Sequence, residues 1–176
     1  MKEREQLISI CIEFLSKVKD KTAGADLDKW LNETYGPDSE TYQAIADLVI
    51  KGVSQGWAAD TEISGPNYRR SRLCEPCAET FYFSITTVYM DSKGYELNNS
   101  ERTFRGDYHL HPYGELNMVI PLDQGAVLAG PRGWQGAGWT APAPGSHHYP
   151  EVKGGAVIAF FFLPAGRISY EIEAQG

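Results

Sequence analysis

The sequence predicts a mostly β fold: a small barrel or sandwich of about seven short strands, preceded by an N-terminal segment of about three helices. Over roughly the first sixty residues, apolar side chains recur at the spacing of amphipathic helices. From about Gly56 onward, glycine and proline become dense, and short runs of aromatic and β-branched residues alternate with turns. We therefore expect a helical segment over residues 1–58 and a β domain over residues 59–176.

Three amphipathic helices are expected in the helical segment. The first carries one apolar stripe from Leu7 to Val18, and Asp26 is placed to cap the second. The third begins near Ser39 and turns apolar side chains between Tyr42 and Val53 inward. Turn residues end the three helices in order, at 22–24, 36–37 and 52–56.

Turns divide the β region into short strands. The run 81–90 is rich in aromatic and β-branched residues, which favour strands. The longest apolar run, 154–166, is bounded by glycine and proline and is too short to span a membrane, so we interpret it as a buried strand. Residues 91–100 form a turn-rich connection and 111–114 a turn. We expect strands at 81–90, 101–111, 115–122, 126–130, 138–142, 156–163 and 168–174.

Charge and cysteine content exclude several classes of protein. The chain has 16 basic and 23 acidic side chains, which argues against a partner that is nucleic acid or an anionic membrane. The N-terminus lacks the pattern of a signal peptide, so we expect a cytoplasmic protein with reduced thiols. Cys74 and Cys77 form a CxxC pair, for which a redox role or half a zinc site is the less favoured alternative, and Cys11 is expected in the core.

All four histidines fall within a window of forty residues. On a strand, residues i and i+2 share a face, so His109 and His111 project together. The turn that follows lets Glu115 bring a carboxylate to the same point. His147 and His148 are adjacent, so only one of them can face the same way. Three imidazoles and one carboxylate suit a single divalent Fe, Mn, Ni, Cu or Zn ion and leave positions open for water or substrate.

The stretch GDYHLHPYGELN resembles the first motif of the cupin superfamily, and GWTAPAPGSHH resembles the second. The spacings depart from the usual ones, and the asparagine that closes the second motif is missing. The resemblance implies a double-stranded β-helix, or jelly-roll barrel, over about residues 80–173. It also implies that His148, rather than His147, completes the ligand set. The matching positions are Gly106, His109, His111, Glu115 and Gly125, then Gly138, Pro144, Gly145 and His148.

A narrower resemblance covers most of the chain. YHLHPYGELNMVIPL (108–122) and GWTAPAPGSHHYPEVKGGA (138–156), behind the helical segment, resemble the 4-hydroxylaminobenzoate lyases of nitroarene catabolism. This implies conversion of 4-hydroxylaminobenzoate to 3,4-dihydroxybenzoate (protocatechuate) with release of ammonia. The alternatives are a cupin dioxygenase or isomerase acting on a small aromatic or organic acid, and a cupin that binds a small ligand without catalysis. We also expect a homodimer, as is common among cupins.

A substrate of this kind needs a cation for its carboxylate and an aromatic wall for its ring. Arginine binds carboxylates as a bidentate fork, and NYRRSRLCEP is the densest basic cluster of the chain. Arg132 is a weaker candidate. The candidates for substrate binding are Arg69, Arg70, Arg72 and Trp139, and those for acid–base catalysis are His147, Tyr113 and Tyr149.

Overall fold

The computed structural model describes residues 2–94 and 103–173, and the three expected helices are all present. They are α1 (Lys2–Val18), α2 (Ala25–Tyr35) and α3 (Glu40–Gln55). Ser39 caps α3 by accepting a hydrogen bond from the Tyr42 amide, and Gly56 ends it in the left-handed conformation (φ 81°) that glycine adopts without strain. Among the described helices, none is long and apolar enough to cross a membrane.

Antiparallel strands make up the rest of the described chain. Twelve strands are described: β1 (Thr61–Glu62), β2 (Tyr68–Cys74), β3 (Phe83–Asp91), β4 (Thr103–Arg105), β5 (His109–His111), β6 (Leu116–Pro121), β7 (Val127–Gly130), β8 (Gly133–Gln135), β9 (Gly138–Thr140), β10 (Ser146–His148), β11 (Glu151–Lys153) and β12 (Ala156–Pro164).

The sheets form a jelly roll. The large sheet has the order β1-β2-β3-β12-β6-β9, the second sheet has the order β4-β11-β7-β8, and β5 pairs with β10 in a two-stranded extension. From β3 to β12 the chain repeatedly crosses from one sheet to the other, which is the connectivity of a double-sheet jelly roll. The predicted fold class, a mostly β jelly-roll barrel behind three helices, is confirmed.

Two apolar cores lie on the two faces of the large sheet. Along β12, Ile158, Phe160 and Phe162 belong to the core shared with the helices, and Val157, Ala159 and Phe161 belong to the core between the sheets. This follows from the alternation of side chains along a strand, with both faces covered. The helical segment is thus packed on the outer face of the large sheet. The division of the chain into a helical segment that ends at residue 58 and a β domain that follows it stays a prediction.

Trp139 belongs to the helix-side core, which corrects its assignment as a substrate-binding residue. Its ring stacks on Phe14 at 5.0 Å, and its indole nitrogen donates to the Tyr35 carbonyl at 2.8 Å. It is fully buried, and on β9 it is Thr140 that faces the barrel interior. The physical reason is that helices cover the outer face of β9, so its apolar residue packs there.

Several strand predictions differ from the structure. The segment YRRSRLC, where no strand was predicted, is strand β2. The expected strand 101–111 is two strands, β4 and β5, because the chain breaks where the Gly106 amide bonds the Pro150 carbonyl. The expected strand 168–174 has only an isolated bridge, between Leu110 and Ser169. Residues 95–100 of the predicted connection, 101–102 and 174 lie outside the described residues.

Candidate active site

The histidines meet because β5 pairs with β10. In this ladder His148 lies directly opposite His109, and Ser146 lies opposite His111. Directly opposed residues share a face of the sheet, so His148 joins the face on which His109 and His111 already lie. Ligand atoms of the three histidines all lie within 4.8 Å of one another, and the group could hold a metal ion.

Hydrogen bonds at Nδ1, the ring nitrogen that points away from the cluster, fix the tautomers of His109 and His111. The tautomer decides what Nε2, the inner nitrogen, presents to the cluster. The Nδ1 of His109 lies 2.9 Å from the Asp107 carbonyl, which can only accept, so Nδ1 carries the proton. The Ser146 hydroxyl donates to the Ala143 carbonyl at 2.6 Å and therefore accepts from Nδ1 of His111 at 3.1 Å. In their neutral forms both residues then turn an Nε2 lone pair toward the cluster.

The inner nitrogens of the three histidines lie close together. Nε2 of His109 lies 3.0 Å from Nε2 of His111 and 3.1 Å from Nε2 of His148. The facing lone pairs of His109 and His111 repel one another unless a cation lies between them. Two nitrogens bonded at right angles to one transition-metal ion, at about 2.1 Å each, are separated by about 3 Å. The donor set therefore fits a transition-metal ion.

Glu115 adds a carboxylate to the cluster. One of its oxygens lies 2.8 Å from Nε2 of His111, and the residue is 7 % exposed. Its position depends on the preceding turn, in which Gly114 has φ 81° and a Cβ would lie 2.6 Å from the Cβ of Ala23. The Glu115 amide then bonds the Pro142 carbonyl at 3.1 Å, which anchors the start of β6.

Burial and charge shift the cluster toward a cation-binding state. Desolvation lowers the pKa of His148 to about 4 and also lowers the pKa of His109, so both are neutral near pH 7. Burial alone would raise the pKa of Glu115, but the contact with His111 and the positive charge that the neighbouring histidines carry when protonated outweigh burial, so the pKa is lowered. Neutral His109 and His148 beside an ionised Glu115 are the protonation states that a metal ion requires.

The cluster opens into a cleft between the two sheets. The cleft encloses about 560 Å³ when its open mouth is included. Its walls combine apolar side chains of the inner core with a few polar ones. The polar lining residues are Tyr68, Arg70, His109, Glu115, Asn117, Thr140, His148 and Tyr170.

The structure separates the three candidate arginines. Arg70 lines the cleft, and its guanidinium bonds the Tyr170 hydroxyl. Arg69 is outside the cleft lining: it lies over the Tyr89 ring at 4.3 Å and bonds the Pro66 carbonyl. Arg72 bonds the Gly166 carbonyl and pairs with Glu75 beside a neighbouring pocket. Because alternate residues of β2 point to opposite faces, Arg69 cannot join Arg70 in this cleft, which corrects its assignment as a substrate ligand. Arg72 shares the face of Arg70 but is outside the cleft lining, and its role as a substrate ligand stays a prediction.

The acid–base candidates lie outside the cleft lining. Tyr113 is 53 % exposed in the turn after β5. His147 is exposed, bonds the Tyr108 hydroxyl, and lines a smaller pocket next to the histidine cluster. Tyr149 packs against Tyr108 and lies beneath the Arg105 guanidinium. The structure thus places the three candidates around the rim, where none of them contacts the cleft.

Two cleft residues, Tyr170 and Asn117, were not among the site residues predicted from the sequence. Tyr170 comes from the C-terminal segment that was expected to be a strand, and its ring centroid lies 5.9 Å from that of His109. Although 41 % of Tyr170 is exposed, the surroundings of its hydroxyl are desolvated, which raises its pKa to about 12. Asn117 lies two residues after Glu115 on β6 and therefore faces the same way. An inward-facing polar residue two positions after Glu115 is the signal that could have found Asn117.

The remaining candidates have structural surroundings. Arg132 pairs with Asp28 of α2 at 3.0 Å and is outside the cleft lining. The three cysteines are free thiols, and Cys11 is fully buried in the helix-side core, as expected.

Comparison with known proteins identifies the family. The model of the 4-hydroxylaminobenzoate lyase family matches residues 9–170. A 4-hydroxylaminobenzoate lyase from Pseudomonas putida is 79% identical over 176 residues, which cover 100% of both chains. The chain belongs to the 4-hydroxylaminobenzoate lyase family. Another lyase of the same name, from Nocardioides sp. (strain LMS-CY), is 62% identical over 172 residues, 98% of this chain and 97% of its own.

Solved structures with similar folds are distant from the chain. The DMSP lyase DddQ from Ruegeria pomeroyi DSS-3 is 12% identical, with a TM-score of 0.43 over 98% of this chain and 99% of its own. The polyketide cyclase RemF from Streptomyces resistomycificus is also 12% identical, with a TM-score of 0.41 over 62% of this chain and 75% of its own. Similarity at this level carries no functional argument.

Proposed function

We propose that the protein is a metal-dependent lyase that converts 4-hydroxylaminobenzoate to 3,4-dihydroxybenzoate and ammonia in nitroarene catabolism. The observation that carries this proposal is that His109 and His148, two members of the three-histidine cluster, line one cleft with Arg70. The family membership supports the substrate, since the relative from Pseudomonas putida bears its name. Location in the cytoplasm and assembly as a homodimer stay predictions.

The reaction balances without an external oxidant. The N–O and C–N bonds break, and C–O bonds form at the carbon ortho to nitrogen and at the carbon that carried nitrogen; one water enters overall and one ammonia leaves. The electron pair lost by the ring carbon is accepted when the N–O bond breaks. Any enzyme for this reaction must therefore activate the N–O oxygen, hold the ring in place and control the access of water.

The residues at one end of the cleft fit the reacting group. His109, His111, His148 and Glu115 would hold a divalent metal ion, which acts as a Lewis acid toward the hydroxylamino oxygen and can supply an activated water. Ser146 and the Asp107 carbonyl keep the inner nitrogens of His111 and His109 available by accepting the protons of the outer ones.

The other end of the cleft fits the carboxylate. The Arg70 guanidinium, bonded to the Tyr170 hydroxyl, supplies a charged donor inside an otherwise apolar wall. Because its pKa is raised, Tyr170 stays protonated and can donate a second hydrogen bond to the same carboxylate. Binding at this end would hold the para substituent at the histidine cluster. The substrate would then lose less translational and rotational entropy on reaching the transition state.

The test is an anaerobic turnover experiment with protein purified without a chelating column. Metal analysis should find about one transition-metal ion per chain, and 4-hydroxylaminobenzoate should yield ammonia and 3,4-dihydroxybenzoate in equal amounts. Absence of both products from metal-replete protein would refute the proposal. A requirement for oxygen would instead favour the dioxygenase alternative.

Neighbouring histidines provide a matched pair of variants. His148→Ala should lose both the metal and turnover, because His148 contributes an inner nitrogen of the cluster. His147→Ala should retain the metal, because its side chain bonds Tyr108 outside the cleft lining. Equal metal content in the two variants would contradict the ligand assignment, and loss of turnover in His147→Ala with the metal retained would establish the acid–base role predicted for it.

A further inference from the structure

Asn117 is a buried polar residue whose hydrogen bonding is incomplete. It is 6 % exposed and lines the cleft. Its amide nitrogen donates to the Thr140 hydroxyl at 3.2 Å, across the pairing of β6 with β9. Its Oδ1 has no hydrogen-bond partner among the residues that the structure describes. Buried acceptors are nearly always paired in folded proteins, so an acceptor left free in a ligand cleft calls for a ligand donor.

Asn117 lies at the end of the cleft where the para substituent of a bound benzoate would lie. It is on the same face of β6 as Glu115, two residues away. Arg70 marks the carboxylate end, and the Tyr170 ring lies near both Arg70 and His109. The ring centroid is 5.1 Å from the Arg70 guanidinium carbon and 5.9 Å from the centroid of the His109 ring, so Arg70 and His109 are at most about 11 Å apart. A para-substituted benzoate is about as long as a tyrosine side chain, so it can reach from Arg70 to the cluster.

The surroundings favour an exposed carbonyl rather than an exposed amide nitrogen. The Thr140 hydroxyl accepts from Nδ2, which turns Oδ1 away from β9. The positive charge of Arg70 on the same cleft attracts the negative end of the amide dipole. The flanking wall of the cleft includes apolar residues, with Leu128 and Phe161 among them.

We propose that Oδ1 of Asn117 accepts a hydrogen bond from the N–H of the substrate's para substituent, and that Asn117 and Thr140 thereby select the hydroxylamine by its oxidation state. The nitro and nitroso forms of the same benzoate carry no hydrogen on nitrogen. They would leave the buried carbonyl unpaired and place an oxygen near it. A site built to pair with a ligand donor rejects an analogue that lacks the donor. The inference rests on the proposed substrate class and deepens it.

The experiment measures equilibrium binding, so it does not depend on turnover. The metal-loaded protein is titrated calorimetrically with 4-aminobenzoate, which has N–H donors but no N–O bond to react, and with 4-nitrobenzoate, which has none. The wild-type protein should bind 4-aminobenzoate more tightly. In Asn117→Leu the preference, expressed as the ratio of the two Kd values, should fall about ten-fold. Both ligands have the same carboxylate and ring, so the contributions of these groups to binding cancel in the ratio.

Two further variants separate this role from a structural one. Asn117→Asp keeps an acceptor at the same place and should retain the preference. Thr86→Val is the matched control, because Thr86 also has a buried hydroxyl without a partner among the described residues but lines the neighbouring pocket. Its preference should equal that of the wild type.

The outcomes separate this proposal from the proposed function. If the wild-type protein binds 4-nitrobenzoate at least as tightly as 4-aminobenzoate, the selection proposal is overturned without any variant, because the Asn117 side chain would then present its N–H to the ligand. An unchanged ratio in a folded Asn117→Leu would also overturn it. In both cases, turnover of 4-hydroxylaminobenzoate by the wild-type protein would leave the proposed function standing. A protein that shows the preference but makes no ammonia would instead refute the proposed function.

Discussion

Replacing Arg70 separates carboxylate recognition from the rest of the site. In β2 the side chains of Arg69 and Arg70 point to opposite faces of the sheet, and only Arg70 lines the cleft. Arg70→Ala removes the charged donor, whereas Arg69→Ala removes an equal charge next to it along the chain. The two variants therefore differ in position and not in chemistry.

The expected magnitude follows from the surroundings of Arg70. A hydrogen bond to a charged group contributes about 1.5–3 kcal/mol, and Arg70 is only half-buried, so we expect the lower part of this range. A loss of about 1.5–2.3 kcal/mol corresponds to a decrease of roughly ten- to fifty-fold in kcat/KM. Because the carboxylate is remote from the reacting bond, most of the change should be an increase in KM.

The assay compares 4-hydroxylaminobenzoate with phenylhydroxylamine, which lacks the carboxylate, by ammonia release under anaerobic conditions. Arg70→Ala should remove most of the wild-type preference for the benzoate and leave phenylhydroxylamine turnover nearly unchanged. Arg69→Ala should retain the preference. A preference that survives in Arg70→Ala, or is lost in Arg69→Ala, would refute the assignment of the carboxylate to the Arg70 end of the cleft.

Two other predictions test the supports of the site. Ser146→Ala should weaken metal binding about ten-fold in competition with a chelator, because His111 loses the acceptor that orients it. The control variant Ser16→Ala, on the surface of α1, should leave metal binding unchanged. Gly114→Ala should lower the unfolding free energy by about 2–5 kcal/mol in urea titrations, through left-handed backbone strain and a contact with Ala23. Gly125→Ala has a similar φ of 83° but nothing within 4 Å, so it should lose less, and equal losses would contradict the contact.

The helices and most of the principal strands could be predicted because their signals are local. Helical periodicity from Leu7 to Val18 and the glycine at the end of α3 depend only on neighbouring residues. β2 was missed because its sequence, YRRSRLC, is mostly polar; the burial pattern of such a strand comes from its pairing with β3 and not from its own composition. The strand predicted at 168–174 failed because a partner is needed to make apolar alternation into a strand, and only Ser169 has one.

The sequence by itself determined that His109 and His111 share a face, since a strand's alternation is a property of the backbone, and it placed Glu115 one turn later. Only the tertiary structure decided which distant side chains join them. The register of β10 against β5 puts His148 opposite His109, and the helices packed on the large sheet direct Trp139 outward. Selection of Arg70 over its neighbours, and the arrival of Tyr170, likewise depend on which faces enclose the cleft. These are contacts between residues far apart in the chain, and local patterns of polarity do not encode them.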